Sequence, residues 1–240
     1  MMDLETILAS YGTDLLLVAG VLLLLLAGIS LKIKKPKESI KEILFVSIVL
    51  TTLIPTIYLA GATVYLNTVS LSGGPVHWHA DFEVWDCGEA VDLIDPKGWS
   101  NKIGTPTLHE HNDKRIHLEG VVVRHEDSSL GKFFRVTGGA ISDDLLVMRT
   151  NTGAFSLKNG DMCPQGEGKV QVFVYQTDKD QYYSQKKVQN PQNYLISHES
   201  QVPAGDCIIV EFDTPKDRTD KLCRSYKVAE KIGKLKGERK

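Results

Sequence analysis

The sequence predicts a two-helix transmembrane hairpin followed by a mainly-β domain, of the β-rich α+β class, outside the cytoplasm. The hairpin is predicted because the chain is mostly apolar up to about Leu66, with its charges confined to short islands. Beyond Leu66, short stretches alternate polar and apolar side chains between turn residues, as half-buried strands do. All four cysteines lie in this second part, which is typical of a domain in an oxidising compartment.

The overall composition argues against nucleic acid as a partner. The chain has 240 residues and a formal net charge of −2, and it contains no basic stripe with interleaved aromatic residues. Roughly 170 residues follow the apolar part, which is enough for a hydrophobic core of their own.

The first apolar stretch runs from about residue 15 to residue 33. About 19 residues of helix measure close to 30 Å, the thickness of the hydrocarbon core of a bilayer. A cleaved signal peptide would carry basic residues before its apolar stretch and a small-residue cleavage site after it. Here Asp3, Glu5 and Asp14 precede the stretch, and Lys32, Lys34 and Lys35 follow its almost purely aliphatic part, which ends at Ile29, so we expect a retained helix.

A second apolar stretch, residues 43–66, can cross the membrane again, with a kink at Pro55. The intervening segment Lys32–Glu42 carries five lysines and two glutamates. The positive-inside rule therefore places the loop, residues 34–42, in the cytoplasm. The N-terminus and the large domain are then both expected outside.

A linker, residues 67–75, leads to the predicted β domain, residues 76–226. The pattern predicts strands over residues 76–84, 90–94, 107–111, 116–124, 169–176 and 207–212, the last of them entered through Pro203-Ala-Gly-Asp. A short helix is expected after Ser129 as its N-cap, with Leu130, Phe133 and Phe134 facing inward.

Three parts of the large domain carry weaker patterns. After Gly138-Gly139 the strand signal fades until Lys169, and the polar residues 177–191 are expected to form a long loop. Residues 227–240 form a basic tail, for which a disordered segment is favoured over a frayed amphipathic helix.

Histidines are concentrated in two short clusters. Five of the seven lie there, namely His77, His79, His109, His111 and His117. Because alternate residues of a strand share a face, residues 76–84 place Trp78, Ala80, Phe82 and Val84 on one face and His77, His79, Asp81 and Glu83 on the other. One strand thus displays two imidazoles and two carboxylates together.

The second cluster spans a predicted hairpin. His109 and His111 lie on its first strand and His117 on its second, joined through Asn112–Arg115, in which Asp113 is expected to be a turn residue. A loop with an odd number of residues places His117 on the face of His109 and His111, whereas a loop of two or four residues places it opposite. The sequence is compatible with both.

These clusters predict a transition-metal site. Two residues of a His-x-His pair lie about 7 Å apart along a strand face, so both can reach one ion, or an ion can be shared between strands. Imidazole ligands favour copper or zinc, with iron less favoured. Nearby carboxylates can supply a ligand or orient a histidine, and the candidates are Asp81, Glu83, Glu110 and Glu119.

The alternative is that these imidazoles only form hydrogen bonds inside a polar cluster. The two remaining histidines, His125 and His198, lie outside the clusters in polar surroundings and are expected at the surface.

The cysteines are poor candidates for ligands because they lie apart from the histidine clusters in sequence. Four cysteines allow three disulfide connectivities. Cys207 and Cys223 flank the last predicted strand and the loop after it, so we favour a bridge between them, with Cys87 joined to Cys163.

Four motifs fall within residues 75–139. They are His77-x-His79, Leu108-His109-x-His111 with Asp113, Ile116-His117-x-Glu119 and Ser129-Leu130-Gly131-x-Phe133-Phe134. This combination resembles an uncharacterised family of exported or membrane-anchored bacterial and archaeal proteins with His-rich domains. The resemblance covers about a quarter of the chain and implies that the five histidines form one constellation. Glu110 stands where the family usually has a small residue, and Asn112 is inserted before Asp113.

We therefore expect a membrane-anchored domain outside the cytoplasm that binds copper or zinc through its clustered histidines close to the membrane surface. Its partner is then the lipid bilayer. An alternative is an accessory or docking subunit of a larger membrane complex, with structural histidines. A metal-dependent enzyme is a third, less favoured hypothesis. The His-Glu-x-x-His signature of metalloproteases is absent, because His111 follows His109-Glu110 two residues too early.

Overall fold

The computed structural model describes residues 4–196 and 205–239, and it divides into two compact units, Met1–Gly74 and Pro75–Lys240. The helices are α1 (Leu4–Lys32), α2 (Glu38–Val69), α3 (Leu130–Val136) and α4 (Arg224–Lys231). The strands are β1 (Pro75–Asp86), β2 (Glu89–Val91), β3 (Ile103–Gly104), β4 (Leu108–Glu110), β5 (Arg115–Val121), β6 (Ala140–Ile141), β7 (Leu145–Thr150), β8 (Gly153–Lys158), β9 (Met162–Cys163), β10 (Gly166–Glu167), β11 (Lys169–Thr177), β12 (Tyr183–Val188) and β13 (Asp206–Asp213).

The first unit consists of α1 and α2, which pack against each other. Gly12 makes their close approach possible, since a Cβ there would lie 2.8 Å from Leu59 Cδ2. The Tyr58 hydroxyl donates a hydrogen bond to the Leu8 carbonyl at 3.0 Å. Both helices are long and apolar enough to cross a membrane, and most of their side chains are exposed.

Both helices extend beyond the apolar stretches that predicted them. α1 already includes Leu4 rather than starting near residue 15, and α2 begins at Glu38 rather than near residue 43. The connecting loop is therefore residues 33–37 and not 34–42, and α2 continues to Val69. The apolar stretches cover only part of each helix. The flanking polar residues have good helix propensity, so the helical hydrogen bonding continues through them.

The second unit is built on an eight-stranded mixed sheet. The strand order is β12-β11-β13-β1-β5-β4-β3, and β2 pairs with β1. β1 pairs parallel with β13, and the other pairs in this sheet are antiparallel. β1 is therefore an interior strand between β13 and β5.

One face of this sheet packs against α3 and a smaller antiparallel sheet, β6-β7-β8. Phe82 of β1 contacts Phe133 of α3 with ring centroids 5.1 Å apart. Ser129 caps α3 as predicted, because its side chain accepts a hydrogen bond from the Lys132 backbone N–H. Phe134 is fully buried with Phe133 and Leu130.

The sequence pattern did not predict the small sheet, because its strand signals fade after Gly138-Gly139. Its strand β7 buries Leu146 and Met148, but the neighbouring β8 is exposed or half-buried throughout. A sheet with so little buried surface carries a weak alternation. The predicted strand over residues 90–94 is likewise shorter, since β2 ends at Val91.

The other face of the large sheet packs against α4. The buried residues of this second cluster are Phe173, Tyr175, Tyr183, Cys207, Ile209, Cys223, Tyr226, Ala229 and Leu235. The prediction of a disordered basic tail over residues 227–240 is therefore wrong. The lysines keep their charges outside while small and apolar residues between them pack on the sheet, a pattern that charge alone conceals.

The prediction of a long loop over residues 177–191 is also wrong, because β12 forms within it. β12 is the edge strand of the large sheet: it pairs with β11 on one side, and on the other Tyr183 forms a single bridge to Glu238. It carries Lys186 and Lys187, and charged residues are the usual means by which proteins protect an exposed strand edge. This polarity made the strand resemble a loop.

The disulfides join Cys87 to Cys163 and Cys207 to Cys223, which is the predicted pairing. The second bond connects β13 to the N-cap of α4. The described part of the chain contains no free cysteine, in agreement with an oxidising compartment. The predicted entry to β13 through residues 203–206 and the predicted surface position of His198 fall partly or wholly outside the described residues.

Replacing Tyr226 with alanine tests whether α4 is part of the fold. Tyr226 is fully buried, and its hydroxyl donates to the Tyr175 and Gly205 carbonyls. We expect Tyr226→Ala to lower the free energy of unfolding by about 3–5 kcal/mol, as for other large aromatic truncations. Thermal unfolding in detergent, followed by near-ultraviolet circular dichroism, measures the loss. Val228→Ala, at an exposed position of the same helix, is the matched control; equal effects would contradict the packing described.

Candidate metal centre

The register of three adjacent strands brings the two histidine clusters together. β5 lies between β1 and β4 and pairs antiparallel with both. His117 of β5 is directly opposite His79 of β1 and His109 of β4, and Glu119 is opposite His77. Because cross-strand partners share a face of the sheet, all five side chains project from the same face.

The loop between β4 and β5 determines the face of His117. Pairing of His109 with His117 requires an odd number of residues in the turn. Asn112 and Lys114 adopt left-handed backbone conformations there, with φ of 65° and 59°. Of the two geometries that the sequence allows, the structure has the one that places His117 beside His109.

Glu110 fixes this loop and is not part of the cluster. Its Oε1 accepts hydrogen bonds from the backbone N–H groups of Asp113 (2.7 Å) and Lys114 (3.2 Å). As the neighbour of His109 in β4, it projects from the opposite face, where it is buried. Burial raises the pKa of this carboxyl group, an effect that the backbone donors oppose.

Four side chains form a first group, called group A, which consists of His77, His79, His117 and Glu119. The Nε2 atoms of His77 and His79 are 3.0 Å apart. Glu119 Oε1 lies 3.3 Å from His77 Nε2 and 3.9 Å from His117 Nδ1. Around a tetrahedral zinc ion with bonds near 2.0 Å, neighbouring ligand atoms are about 3.3 Å apart. The spacing of group A therefore fits the coordination sphere of one ion.

His109 and His111 form a second group beside His117. The ring centroids of His109 and His111 are 4.7 Å apart, and those of His111 and His117 are 4.8 Å apart. The rings of His109 and His117 are stacked at 5.4 Å. Ligand atoms of these three residues lie within 4.8 Å of one another, so this group can also hold a metal ion.

Each imidazole has two ring nitrogens, and a nitrogen that donates a hydrogen bond leaves the other one free to bind a metal. His117 Nε2 lies 3.1 Å from Asp113 Oδ2, and His111 Nδ1 lies 2.5 Å from the Asn101 carbonyl oxygen. Both oxygens are acceptors, so we assign the imidazole N–H to these nitrogens. His117 Nδ1 and His111 Nε2 then carry lone pairs, the usual arrangement of histidine ligands.

Two buried nitrogens in the centre lack a hydrogen-bond partner within the described chain. They are Nδ1 of His109 and Nδ1 of His117. A buried polar atom without a partner is costly and calls for an explanation. A cation bound to His117 Nδ1, the nitrogen nearer to Glu119 Oε1, would supply the interaction that this atom lacks.

Burial keeps the central imidazoles neutral. It lowers the pKa of His109 to about 4, with a further contribution from the charge of Lys102. Burial also lowers the pKa of His79, with help from His117 and His77. Neutral imidazole is the form that binds a metal ion, so these side chains are ready for coordination at neutral pH.

Glycine at position 104 allows β3 to cover His109. Gly104 pairs with His109 across β3 and β4 and has a φ of 120°. A Cβ at this position would lie 2.4 Å from the Leu108 carbonyl oxygen and 3.0 Å from His109 Cα. The close approach of β3 contributes to the burial of His109, whose side chain is 1% exposed.

Asp81 and Glu83, two of the carboxylates predicted to support the site, form hydrogen bonds near the start of α4 and not with the histidines. Asp81 accepts hydrogen bonds from Arg115 Nε, at 2.7 Å, and from the Ser225 hydroxyl. Glu83 accepts a hydrogen bond from the Arg224 backbone N–H at 2.9 Å. The expectation that Asp81, Glu83 and Glu110 support the metal site is therefore corrected, and of the four candidates Glu119 alone lies among the imidazoles.

Asp113, which the sequence pattern predicts only as a turn residue, lies against the cluster. The structure places its carboxylate on His117. The available signal was an acidic residue in a short loop between two histidine-bearing strands. His125 is exposed, as predicted.

Comparison of the chain with models of protein families, with curated proteins and with solved structures finds no match. The assignment of the centre therefore depends on its own geometry. That geometry is one in which the histidine groups can hold a metal ion.

The lowered pKa of His109 predicts a pH dependence of stability in the metal-free protein. The folded state binds this proton only near pH 4, whereas the unfolded state binds it near pH 6.5. The stabilisation by neutral His109 is therefore complete above about pH 6.5 and is lost as the pH falls towards 4. In chelator and detergent, we expect the unfolding temperature of His109→Gln to fall less than that of the wild type between pH 7 and pH 4.5. His125→Gln should follow the wild type; parallel curves for wild type and His109→Gln would refute the assignment.

Proposed function

We propose that this chain is a membrane-anchored protein whose β domain lies outside the cytoplasm and binds copper or zinc through its clustered histidines. The observation that carries the proposal is the convergence of three imidazoles and one carboxylate in group A, with the His77 and His79 Nε2 atoms 3.0 Å apart. His109 and His111 lie beside this group.

Electrostatics favour a cation over a cluster of hydrogen-bonded histidines. A proton on either His77 or His79 can join their two Nε2 atoms, 3.0 Å apart, in a hydrogen bond. The other lone pairs that converge here, among them those of His117 Nδ1 and Glu119 Oε1, have no donor between them and repel one another. Protonation would relieve this repulsion, but burial opposes protonation of His79 and His109. A divalent cation among these atoms converts every repulsion into an attraction without a change in protonation.

The donor set limits the kind of ion. Imidazole and carboxylate suit zinc and copper(II), whereas copper(I) prefers thiolate and thioether ligands. Both disulfides leave the cysteines unable to supply a thiolate. We therefore propose copper or zinc in the divalent state.

Three features support the proposed location. α1 and α2 are long and apolar enough to cross a membrane. The short connection between them is rich in lysine, which favours the cytoplasmic side. The β domain contains two disulfides, which persist in oxidising compartments.

Metal content is the first test. Full-length protein without a histidine tag, purified in detergent, should contain zinc or copper by elemental analysis. His79→Ala/His117→Ala should contain less of that metal, because the variant removes two imidazoles of group A whose centroids are 4.7 Å apart. Added ion at 100 times its dissociation constant should stabilise the wild type by about 2.7 kcal/mol.

The control for this test is His125→Ala, which removes an exposed histidine outside the clusters. It should retain the metal. A wild-type protein that contains no metal and resists loading with zinc and copper would overturn the proposal and favour the docking-subunit hypothesis.

Labelling of intact cells tests the orientation in the membrane. A membrane-impermeant thiol reagent should modify Thr152→Cys, in the exposed turn between β7 and β8, and should not reach Lys35→Cys in the loop between α1 and α2. Permeabilised cells should show both reactions. The native cysteines are paired in disulfides and do not react. The reverse pattern in intact cells would place the β domain in the cytoplasm.

A further inference from the structure

We propose, on the basis of the metal-binding function above, that the centre holds two metal ions bridged by the Glu119 carboxylate. The first ion, ion A, lies in group A. The second, ion B, lies beside His109 and His111.

The two oxygens of Glu119 face different histidines. Oε1 lies 3.3 Å from His77 Nε2 and 3.9 Å from His117 Nδ1. Oε2 lies 3.8 Å from His109 Nε2. Oε1 thus faces two imidazole nitrogens of group A and Oε2 faces one nitrogen of the second group, which is the arrangement of a bridging carboxylate.

The hydrogen bond to Asp113 assigns His117 to one ion only. With its Nε2–H donated to Asp113, His117 can coordinate through Nδ1, the nitrogen nearer to Glu119 Oε1. Ion A then has three imidazoles and one carboxylate oxygen. Ion B is then left with His109 and His111 of the second group and with Glu119 Oε2, which lies 3.8 Å from His109 Nε2.

Burial and hydrogen bonding support the second position independently. His109 is 1% exposed, and its Nε2, which faces Glu119 Oε2 at 3.8 Å, is the nitrogen offered to ion B. The Nδ1 of His111 is engaged with the Asn101 carbonyl, which leaves Nε2 free and orients the ring. Ion A already has four protein ligands. His109 and His111, whose ring centroids are 4.7 Å apart, therefore remain available for a second ion.

The two positions differ in the number of protein ligands. Zinc sites with four protein ligands are closed and structural, whereas sites with three keep a position for water or a substrate. Ion A is therefore the tightly held ion, and ion B is the exchangeable one that can accept water or a small anion. Metal ions in such paired sites lie about 3.5–4 Å apart.

Copper(II) titration of the full-length, tag-free protein in detergent, after removal of metal by a chelator, tests the inference. Bound copper is measured by equilibrium dialysis and elemental analysis. The wild type should bind two ions per chain and lose one of them in His77→Ala and one in His111→Ala. These side chains are exposed or half-buried, and His125→Ala should retain both ions.

Electron paramagnetic resonance distinguishes paired from separate ions. In the wild type, the second equivalent of copper(II) should diminish the signal of the first, because neighbouring spins couple through the bridge. His77→Ala and His111→Ala should each give the full signal of one isolated ion, whereas His125→Ala should behave as the wild type. Glu119→Gln, which keeps the shape of the side chain but cannot bridge as a carboxylate, should reduce the stoichiometry from two ions to one.

The outcomes separate this inference from the proposed function. A wild type that binds no copper or zinc overturns both. A single ion, weakened alike by His77→Ala and His111→Ala, preserves the metal-binding function and overturns the second position. Two ions with additive, uncoupled signals overturn the bridge.

Discussion

The candidate centre depends on the register of β5 between β1 and β4. This one strand pairs antiparallel with both neighbours, so that His117 is opposite His79 on one side and His109 on the other. Each residue of register shift would turn an entire strand to the opposite face. The same pairing directs Leu118 and Ile116 into the hydrophobic core, so the burial of apolar side chains and the assembly of the histidines are consequences of one alignment.

β1 performs two tasks along one face. Its first half contributes His77 and His79 to the centre, and its second half uses Asp81 and Glu83 to hold Ser225 and the backbone of Arg224 at the start of α4. These carboxylates are thereby occupied with hydrogen-bond donors. Glu119 is left as the acidic member of the group, which gives the centre a nitrogen-rich donor set.

Local patterns were sufficient to predict the long helices, the alternation of β1, the Ser129 cap and the disulfide pairing. The first three depend on residues close in sequence, and the Cys207–Cys223 bond spans 16 residues, whereas Cys87–Cys163 spans 76 and was predicted only as the remaining pair. The sequence did not determine which face of the sheet His117 occupies. That face depends on the conformation of a turn in which Asn112 and Lys114 adopt left-handed backbone conformations. α4 and β12 were missed because their polar sequences become ordered only by packing against β11 and β13, which tertiary contacts decide.

The sequence signature of the centre includes Gly104, the residue that pairs with His109, in addition to the residues that supply donor atoms. Gly104 offers no ligand, yet any side chain there would collide with the β4 backbone and push the edge strand away from the buried imidazole. A distant relative that retained every histidine but replaced this glycine would have lost the cover over one of its ligands. Relatives that share the chemistry are therefore better recognised by the spaced pattern Gly104-x4-His109-x-His111-x5-His117-x-Glu119 than by histidine content.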